Sequence, residues 1–218
     1  MILGIYGTGG SGKELLEMIS KYDNLKKRWD EIVYIDDTKE IGSCKTKKRM
    51  PFEMFTQLYS PKKAEIAIAV GEPRYRKQLG EKVRNKGYKL ALIISPKADV
   101  SLGAQLGEGV VVKDNSIISS DAVIGENTWI NSDAIIGHDV NVGKNCQISS
   151  LSLVAGRTKV GNDVYIGAAA CVREDLIIGD SAILSMGAIV LKDVRDNKIV
   201  MGNPAREIAE NKEHKVFR

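Results

Sequence analysis

Histidine is nearly absent from this chain: only His138 and His214 occur among 218 residues. A catalytic zinc site with three histidine ligands is therefore excluded, and no cysteine or histidine spacing typical of a metal site occurs. We predict that the protein holds no metal. Aromatic residues make up only 6% of the chain while 43% is hydrophobic, which favours a core of stacked aliphatic side chains.

Cysteines are also few, and long apolar runs are missing. Cys44, Cys146 and Cys171 are odd in number and irregularly spaced, which excludes a disulfide framework and favours reduced thiols. The chain starts with an apolar run that lacks the basic region and cleavage site of a signal peptide, and no run reaches membrane-spanning length. We therefore expect a cytoplasmic protein without membrane insertion.

Charge of one sign is not in excess. The chain has 32 basic and 28 acidic residues, a net charge of +4. This balance argues against a nucleic-acid partner. The densest basic run, residues 45–49, is interpreted as a solvated loop.

A six-residue repeat dominates the second half of the chain. An aliphatic residue recurs at every sixth position over 90 residues, a spacing that neither a helix nor an alternating strand produces. The fourth residue after most repeat positions is small, and Cys146 is one of these predicted inward residues. Three hexads make one 18-residue coil of a triangular prism, so the repeat predicts five coils of a parallel β-helix. The repeat positions are Val100, Leu106, Val112, Ile118, Ile124, Ile130, Ile136, Val142, Ile148, Val154, Val160, Ile166, Val172, Ile178, Leu184 and Val190.

The first part of the chain has a different pattern, in which short apolar runs alternate with helical stretches. This order predicts a small Rossmann-like parallel α/β domain of about four strands, with a last strand near residues 90–94. We expect this domain to span residues 1–95 and the β-helix to span residues 98–193, with Ser95-Pro96 as the joint. Residues 194–218 form a C-terminal tail in this interpretation.

A glycine-rich loop, Gly7-Thr8-Gly9-Gly10-Ser11-Gly12, follows the first strand and opens a helix, so its amides can hold phosphate oxygens. A P-loop ATPase is disfavoured because Glu14 stands where a magnesium-binding hydroxyl is needed. A dinucleotide dehydrogenase agrees with Asp36 or Asp37 after the second strand, but no hydride-transfer site is evident in a β-helix. A nucleoside diphosphate ligand accounts for the loop and the acids equally well.

His138 is a candidate general base. It lies two residues after the inward repeat residue Ile136, so its side chain is predicted to point outward near a corner of the prism. Asp139 follows directly, and a carboxylate that accepts from one ring nitrogen increases the basicity of the other. His214 lies in a charged segment and is interpreted as a solvated residue.

Motifs spread over nearly the whole chain carry a resemblance. They are the hexad repeat, the glycine loop, Asp36-Asp37, Gly71-x-Pro73-x-x-Arg76, Asn131 with His138-Asp139, and Gly202-x-Pro204-Ala205. Together they resemble the NeuD/PglD-type sugar acetyltransferases of the left-handed β-helix acyltransferase superfamily. The resemblance implies a left-handed prism, a homotrimer, acetyl-CoA as co-substrate in the groove between neighbouring subunits, and a nucleotide-linked sugar on the Rossmann-like domain. It also implies a role in bacterial-type surface glycan biosynthesis.

The same resemblance implies roles for individual residues. His138 matches the family's general base, Asp139 its acidic neighbour, and Asn131 a polar residue that shapes the catalytic pocket. Positions matching acetyl-CoA contacts are Gln147, Gly156, Ala168 and Met186. Positions matching contacts to the nucleotide sugar are Gly9, Gly10, Ser11, Asp36, Asp37 and Gly71.

Two departures from the family pattern leave the acceptor atom open. Members that acetylate an amino group commonly have a second histidine where this chain has Gln147, and several have histidine in the glycine loop where it has Ser11. The alternatives are therefore acetylation of an amino group and O-acetylation as in the sialic-acid relatives. A non-catalytic trimeric scaffold that senses a nucleotide sugar is a third reading. A β-helix carbonic anhydrase is disfavoured because it needs three zinc-binding histidines.

Overall fold

The computed structural model describes residues 1–217 and begins with a parallel sheet flanked by helices. The sheet order is β3-β4-β2-β1-β5-β6, and every pairing is parallel except that between β3 and β4. The strands are β1 Ile2–Tyr6, β2 Glu31–Ile35, β3 Gly42–Cys44, β4 Lys47–Met50, β5 Ala64–Ile68 and β6 Lys89–Leu90. The helices are α1 Gly10–Lys21, α2 Asp23–Lys26, α3 Phe52–Leu58 and α4 Pro73–Asn85.

The sheet is larger than the sequence predicts, because the basic run at residues 45–49 is not a solvated loop. Lys45 and Thr46 turn with positive φ, and Lys47–Met50 then pairs with β2. Basic residues hid this strand, because only Met50 of Lys47–Met50 is buried and the strand has no apolar pattern.

Two glycines of the loop after β1 are required by its geometry. Gly7 has a φ of +118°, which L side chains rarely adopt. A side chain at Gly12 would stand 2.0 Å from the carbonyl oxygen of Gly7, so α1 can start this close to the strand only without a Cβ. The loop is thereby folded tightly against the carboxyl end of β1.

The hexad region forms the predicted prism of stacked parallel strands, and the predicted fold class is confirmed. Face 1 contains Ile93–Ile94, Val111–Val112, Trp129–Ile130, Gln147–Ile148, Tyr165–Ile166, Ile183–Leu184 and Lys198–Gly202, to which Ala205–Glu210 adds an antiparallel strand. Face 2 contains Asp99–Val100, Ile117–Ile118, Ile135–Ile136, Leu153–Val154, Cys171–Val172 and Ile189–Val190. Face 3 contains Gln105–Leu106, Val123–Ile124, Asn141–Val142, Lys159–Val160 and Ile177–Ile178.

The second residue of each two-residue strand points into the prism, which is why the aliphatic repeat has a period of six. Cys146 is fully buried among these residues, as predicted. The corners follow the same period: a positive φ recurs at every sixth residue from Gly109 to Gly187, and Asp139 with a φ of 58° is one of these positions.

The prism extends beyond the repeat seen in the sequence. Ile93–Ile94 does not join the α/β sheet but pairs with Val111–Val112, and Pro96 lies in the first corner, which the Ala98 amide closes by donating to the Ser95 carbonyl. Proline suits such a turn because its φ is fixed. At the other end, Lys198–Gly202 and Ala205–Glu210 form a hairpin that continues face 1 where the sequence indicated only a tail.

The α/β sheet packs on face 1. Val111 and Trp129, which point outward from this face, are fully buried in one core with Leu15 and Ile19 of α1. Polar contacts reinforce the joint: Asp114 accepts from Lys21 at 2.9 Å and from Tyr22 at 2.7 Å. The N-terminal pocket and the prism are therefore held in one fixed relation.

Candidate active site

His138 and Asp139 form a hydrogen-bonded pair at the corner line between faces 2 and 3, called here the 2–3 edge. Nδ1 of His138 lies 2.7 Å from the Asp139 carboxylate, and more than half of each side chain is exposed. Asp139 is held by the left-handed backbone of the corner, and its amide donates to the Ser120 carbonyl one coil earlier. The carboxylate thus fixes the ring orientation and leaves Nε2 directed away from the pair.

Gly156, one coil later on the same edge, provides the space for the imidazole. A Cβ at this position would stand 2.7 Å from Nε2 of His138. The next residue, Arg157, donates its amide to the His138 carbonyl and makes two 2.7 Å hydrogen bonds to Asp175. Asp175 holds the pKa of Arg157 above its usual range, and Arg157 holds that of Asp175 below its usual range. The prism edge next to His138 therefore consists of the Gly156 backbone and the Arg157–Asp175 ion pair.

Three other predicted site residues lie along the 1–2 edge, the corner line between faces 1 and 2. Asn131 is partly buried and donates its side-chain amide to the Ile148 carbonyl at 3.0 Å. Ala168 and Met186 follow on this edge, and the Met186 side chain is 77% exposed. The structure thus separates Asn131, Ala168 and Met186 from His138 by the width of face 2.

The predicted acceptor residues do meet in one cavity. Gly9, Gly10, Ser11, Asp36, Asp37 and Gly71 line a cavity of about 600 Å³ at the carboxyl ends of β2, β1 and β5. No atom lies within 4 Å of where a Cβ of Gly9 or Gly10 would stand, so this part of the loop is open to a ligand. The cavity occupies the edge of the sheet where open α/β folds bind ligands.

The two acids of this cavity are occupied by partners within the chain. Asp36 accepts from the Thr8 hydroxyl and, at 2.7 Å, from the Thr38 hydroxyl. Partial burial alone would raise the pKa of Asp36, but these hydrogen bonds lower it. Asp37 shows the same balance: burial opposes its ionisation, but hydrogen bonds from Lys82 at 2.5 Å and from Tyr6 lower its pKa. Both acids are therefore ionised near neutral pH.

Gln147 lies neither on the prism edges that carry the other predicted acetyl-CoA residues nor in the glycine-loop cavity. It points outward from face 1, is 7% exposed, and accepts a 2.5 Å hydrogen bond from the guanidinium of Arg76. Arg76 of α4 is fully buried over the ring of Trp129, and burial lowers its pKa to about 9. The amide of Gln147 thus partners a buried cation between the α/β sheet and the prism, and its predicted contact with acetyl-CoA stays a prediction.

The triangular cross-section sets the relation between the two halves of the site. The α/β sheet covers face 1, whereas His138 lies on the 2–3 edge, opposite that face. The glycine-loop cavity is therefore carried on face 1, while the His138 of the same chain lies on the opposite edge of the prism.

Among residues 1–217, no three His, Cys, Asp or Glu side chains cluster as metal ligands do. None of the helices in this described part of the chain is long and apolar enough to cross a bilayer.

Comparison with known families agrees with this architecture. Residues 3–83 match the PglD N-terminal domain, and residues 121–156 match the bacterial transferase hexapeptide family, described as six repeats. A search of curated protein sequences finds no match.

Three solved structures are similar over nearly their whole length. The acetyltransferase domain of PglB from Neisseria gonorrhoeae is 29% identical, with 95% of this chain and 99% of that chain covered and a TM-score of 0.87. PerB from Caulobacter crescentus, solved with CoA and GDP-perosamine, is 27% identical over 96% and 98%, with a TM-score of 0.83. WeeI from Acinetobacter baumannii is 25% identical over 95% and 100%, with a TM-score of 0.89.

The prism of hexapeptide repeats and the similar solved structures define an acyltransferase of the left-handed β-helix class. Its N-terminal domain matches the PglD N-terminal domain, and the solved structures similar to the whole chain include sugar acetyltransferases.

Proposed function

We propose that this protein transfers the acetyl group of acetyl-CoA to an amino group of a nucleotide-linked sugar, with His138 as general base. The observation that carries the proposal is the His138–Asp139 pair, exposed on a prism edge and seated on Gly156. Similar proteins support the reaction class: the PglB domain was solved with acetyl coenzyme A, and the perosamine N-acetyltransferase with CoA and GDP-perosamine.

In this mechanism the acceptor nitrogen attacks the carbonyl carbon of the acetyl thioester. His138 Nε2 takes the proton that the nitrogen loses, and the C–N bond forms. The C–S bond then breaks, and the imidazolium gives this proton to the departing thiolate, so that CoA leaves as the thiol. Asp139 accepts from Nδ1 and stabilises the imidazolium formed in this step. The attack is direct, and Cys146 is unsuited to carry the acetyl group because it is fully buried and burial raises the pKa of its thiol to about 12.

The 1–2 edge fits the long, thin donor. The corner residues Ser150 and Ala168 are small, so backbone groups there are accessible, and Met186 offers an exposed flexible side chain. Acetyl-CoA held here lies along one edge of face 2, and His138 lies on the opposite edge of the same face. Asn131, two coils before Ala168 on the same edge, is positioned to border the transferred group.

The glycine-loop cavity fits the acceptor. Open amides at Gly9, Gly10 and the start of α1 suit a diphosphate. Asp36 and Asp37 stand at one end, where an ionised carboxylate can accept from a ribose hydroxyl or a base N–H. Ser11 and Gly71 stand toward the other end, next to the prism.

A trimer would bring the separated halves together. The outward residues of face 2 form an apolar stripe along the prism, with Ile117 and Ile135 each more than a third exposed. This stripe comprises Ile117, Ile135, Leu153, Cys171 and Ile189. We infer that three copies pack along it, so that the 2–3 edge of one copy meets the 1–2 edge and cavity of the next. The product would enter bacterial-type surface glycan synthesis.

The test is release of the CoA thiol from acetyl-CoA in the presence of nucleotide-linked 4-amino sugars, with UDP- and GDP-linked acceptors side by side. Release that requires an amino acceptor supports the proposal. Release only with sialic acids or other hydroxyl acceptors would assign the protein to O-acetylation instead. Tight binding of a nucleotide sugar without any thiol release would favour the non-catalytic scaffold.

A further inference from the structure

The last residues of the described chain form a strap that returns to the N-terminal cavity. This C-terminal strap, Asn211–Phe217, begins at Asn211, which is 6% exposed and donates to the Ser181 carbonyl at 3.0 Å. The Asn211 side-chain oxygen accepts from the Lys215 amide at 2.8 Å, which turns the strap toward α4. The strap is thus anchored at the prism end.

Glu72 anchors the other end of the strap. Its carboxylate is 5% exposed and accepts from the Val216 amide at 2.9 Å and from the Phe217 amide at 3.0 Å. Arg74 adds a 3.0 Å hydrogen bond to the Glu213 carbonyl. A nearly buried carboxylate that binds two successive backbone amides is a strong, specific clamp, since charged hydrogen bonds are stronger than neutral ones.

The clamp holds the ring of Phe217 at the mouth of the glycine-loop cavity. A Cβ at Gly71 would stand 3.6 Å from this ring and 3.9 Å from the Ser11 hydroxyl. Gly71 and Ser11 both line the cavity. Tyr165, on face 1, meets the ring edge-on at 5.5 Å. Phe217 nevertheless stays 49% exposed, so about half of its surface is left uncovered by the described residues beside the cavity.

The sheet order indicates which part of a ligand this ring faces. The glycine loop follows β1, with β2 on one side and β5 on the other. Asp36 and Asp37 follow β2, whereas Gly71 and Phe217 stand on the β5 side. A diphosphate on the central loop therefore directs its nucleoside toward the acids and its sugar toward Phe217.

We propose that Phe217 is a substrate-binding residue that packs against the apolar face of the sugar portion of the nucleotide-linked acceptor, and that Glu72 positions it. This inference rests on the proposed function and deepens it, because it assigns a wall of the acceptor site to a segment outside both recognised domains. Glu72 acts only through the strap, so its effect on binding depends on Phe217.

The experiment compares two probes by calorimetry: the nucleoside diphosphate alone, and the same nucleoside diphosphate linked to a 4-amino sugar. Phe217→Ala is expected to weaken binding of the sugar nucleotide about 3- to 10-fold, the range typical for losing one aromatic contact. The Kd values for the bare nucleoside diphosphate and for acetyl-CoA are expected to stay within about two-fold of those of the native protein. Phe217→Tyr keeps the ring and is expected to keep the affinity.

Glu72→Ala is expected to weaken sugar-nucleotide binding like Phe217→Ala, and the double variant to add nothing further. Leu58→Ala, an exposed apolar residue of α3, serves as the control, and thermal unfolding shows whether each variant is folded. Unchanged sugar-nucleotide affinity in Phe217→Ala overturns the inference alone. Equal losses for both probes also overturn it, since the ring would then contact the nucleoside. A native protein that binds neither probe overturns the proposed function as well.

Discussion

The imidazole of His138 lies against the backbone of Gly156, one coil later on the same prism edge. A methyl group there would stand 2.7 Å from Nε2 and 2.8 Å from Cε1 of the ring. These distances are far inside van der Waals contact, so any side chain at position 156 must displace the imidazole. The family resemblance implies that Gly156 contacts acetyl-CoA, and the structure shows that it also makes room for the His138 ring.

Gly156→Ala should therefore impair catalysis while leaving the fold intact. A shift of the ring by about 1 Å costs about 10²-fold in turnover when it misplaces a catalytic group. Steady-state kinetics of thiol release would measure this loss. Gly42→Ala is the matched control, since its new Cβ would meet only the Arg49 side chain at 3.5 Å. Unchanged kcat in Gly156→Ala would show that the ring is not used where the structure places it.

Gln147→Ala distinguishes the structural role of this residue from its predicted contact with acetyl-CoA. Removing the amide leaves the buried Arg76 guanidinium without its 2.5 Å acceptor, which costs about 1–3 kcal/mol of the free energy of unfolding. The KM for acetyl-CoA is expected to stay the same. Denaturant unfolding and donor titrations measure the two quantities, with Gln105→Ala on face 3 as the exposed control. A raised KM with unchanged stability would contradict the structural role and support the predicted contact with acetyl-CoA.

Asp114 makes stability depend on acid pH. Burial alone would raise its pKa, but hydrogen bonds from Ser95, Lys21 and Tyr22 lower it to about 2 from 3.8. The group thus contributes stability above its unfolded pKa and loses it as pH falls from 3.8 toward about 2, a contribution of about 2 kcal/mol. Asp114→Asn is expected to lower the melting temperature at pH 7 and to flatten its dependence below pH 4, because its side chain no longer titrates. An unchanged acid slope would contradict this role.

Ile135→Lys tests the inferred packing of face 2. A lysine in the apolar stripe places a charge in the interface, so the variant is expected to be monomeric in sedimentation and inactive, although each monomer stays folded. Ile177→Lys, on face 3 and 55% exposed, is the matched control and is expected to remain trimeric and active. A monomeric Ile135→Lys variant with full activity would rule out a site shared between copies.

Much of the fold could be predicted from the sequence, because the hexad repeat is dictated by one inward side chain per strand. Ile94 obeys the same rule and belongs to the prism. It was missed because Ser95-Pro96 resembled a domain boundary, whereas in the structure Pro96 lies in a prism corner. The β-hairpin at residues 42–50 escaped prediction since Met50 is the one buried residue of its two strands, which therefore have no apolar pattern.

The candidate site was predictable in its chemistry and less so in its geometry. His138-Asp139 are sequence neighbours whose contact follows from the left-handed corner, a conformation that recurs with the repeat. The partners of Gln147 and Phe217 are Arg76 and Glu72, more than 70 residues away in each case. Such pairings are set by how the α/β sheet docks on face 1, which no local pattern encodes.

The most direct test of the account is a single-turnover measurement of CoA thiol release with native protein and His138→Ala, together with the Kd of each for acetyl-CoA. Loss of general-base catalysis predicts a rate about 10²- to 10⁴-fold lower in the variant, with donor affinity unchanged. Asp139→Asn, which tolerates the left-handed corner but removes the carboxylate, is expected to give a smaller loss. A His138→Ala variant that retains the native rate would contradict the assignment of the base and with it the proposed mechanism.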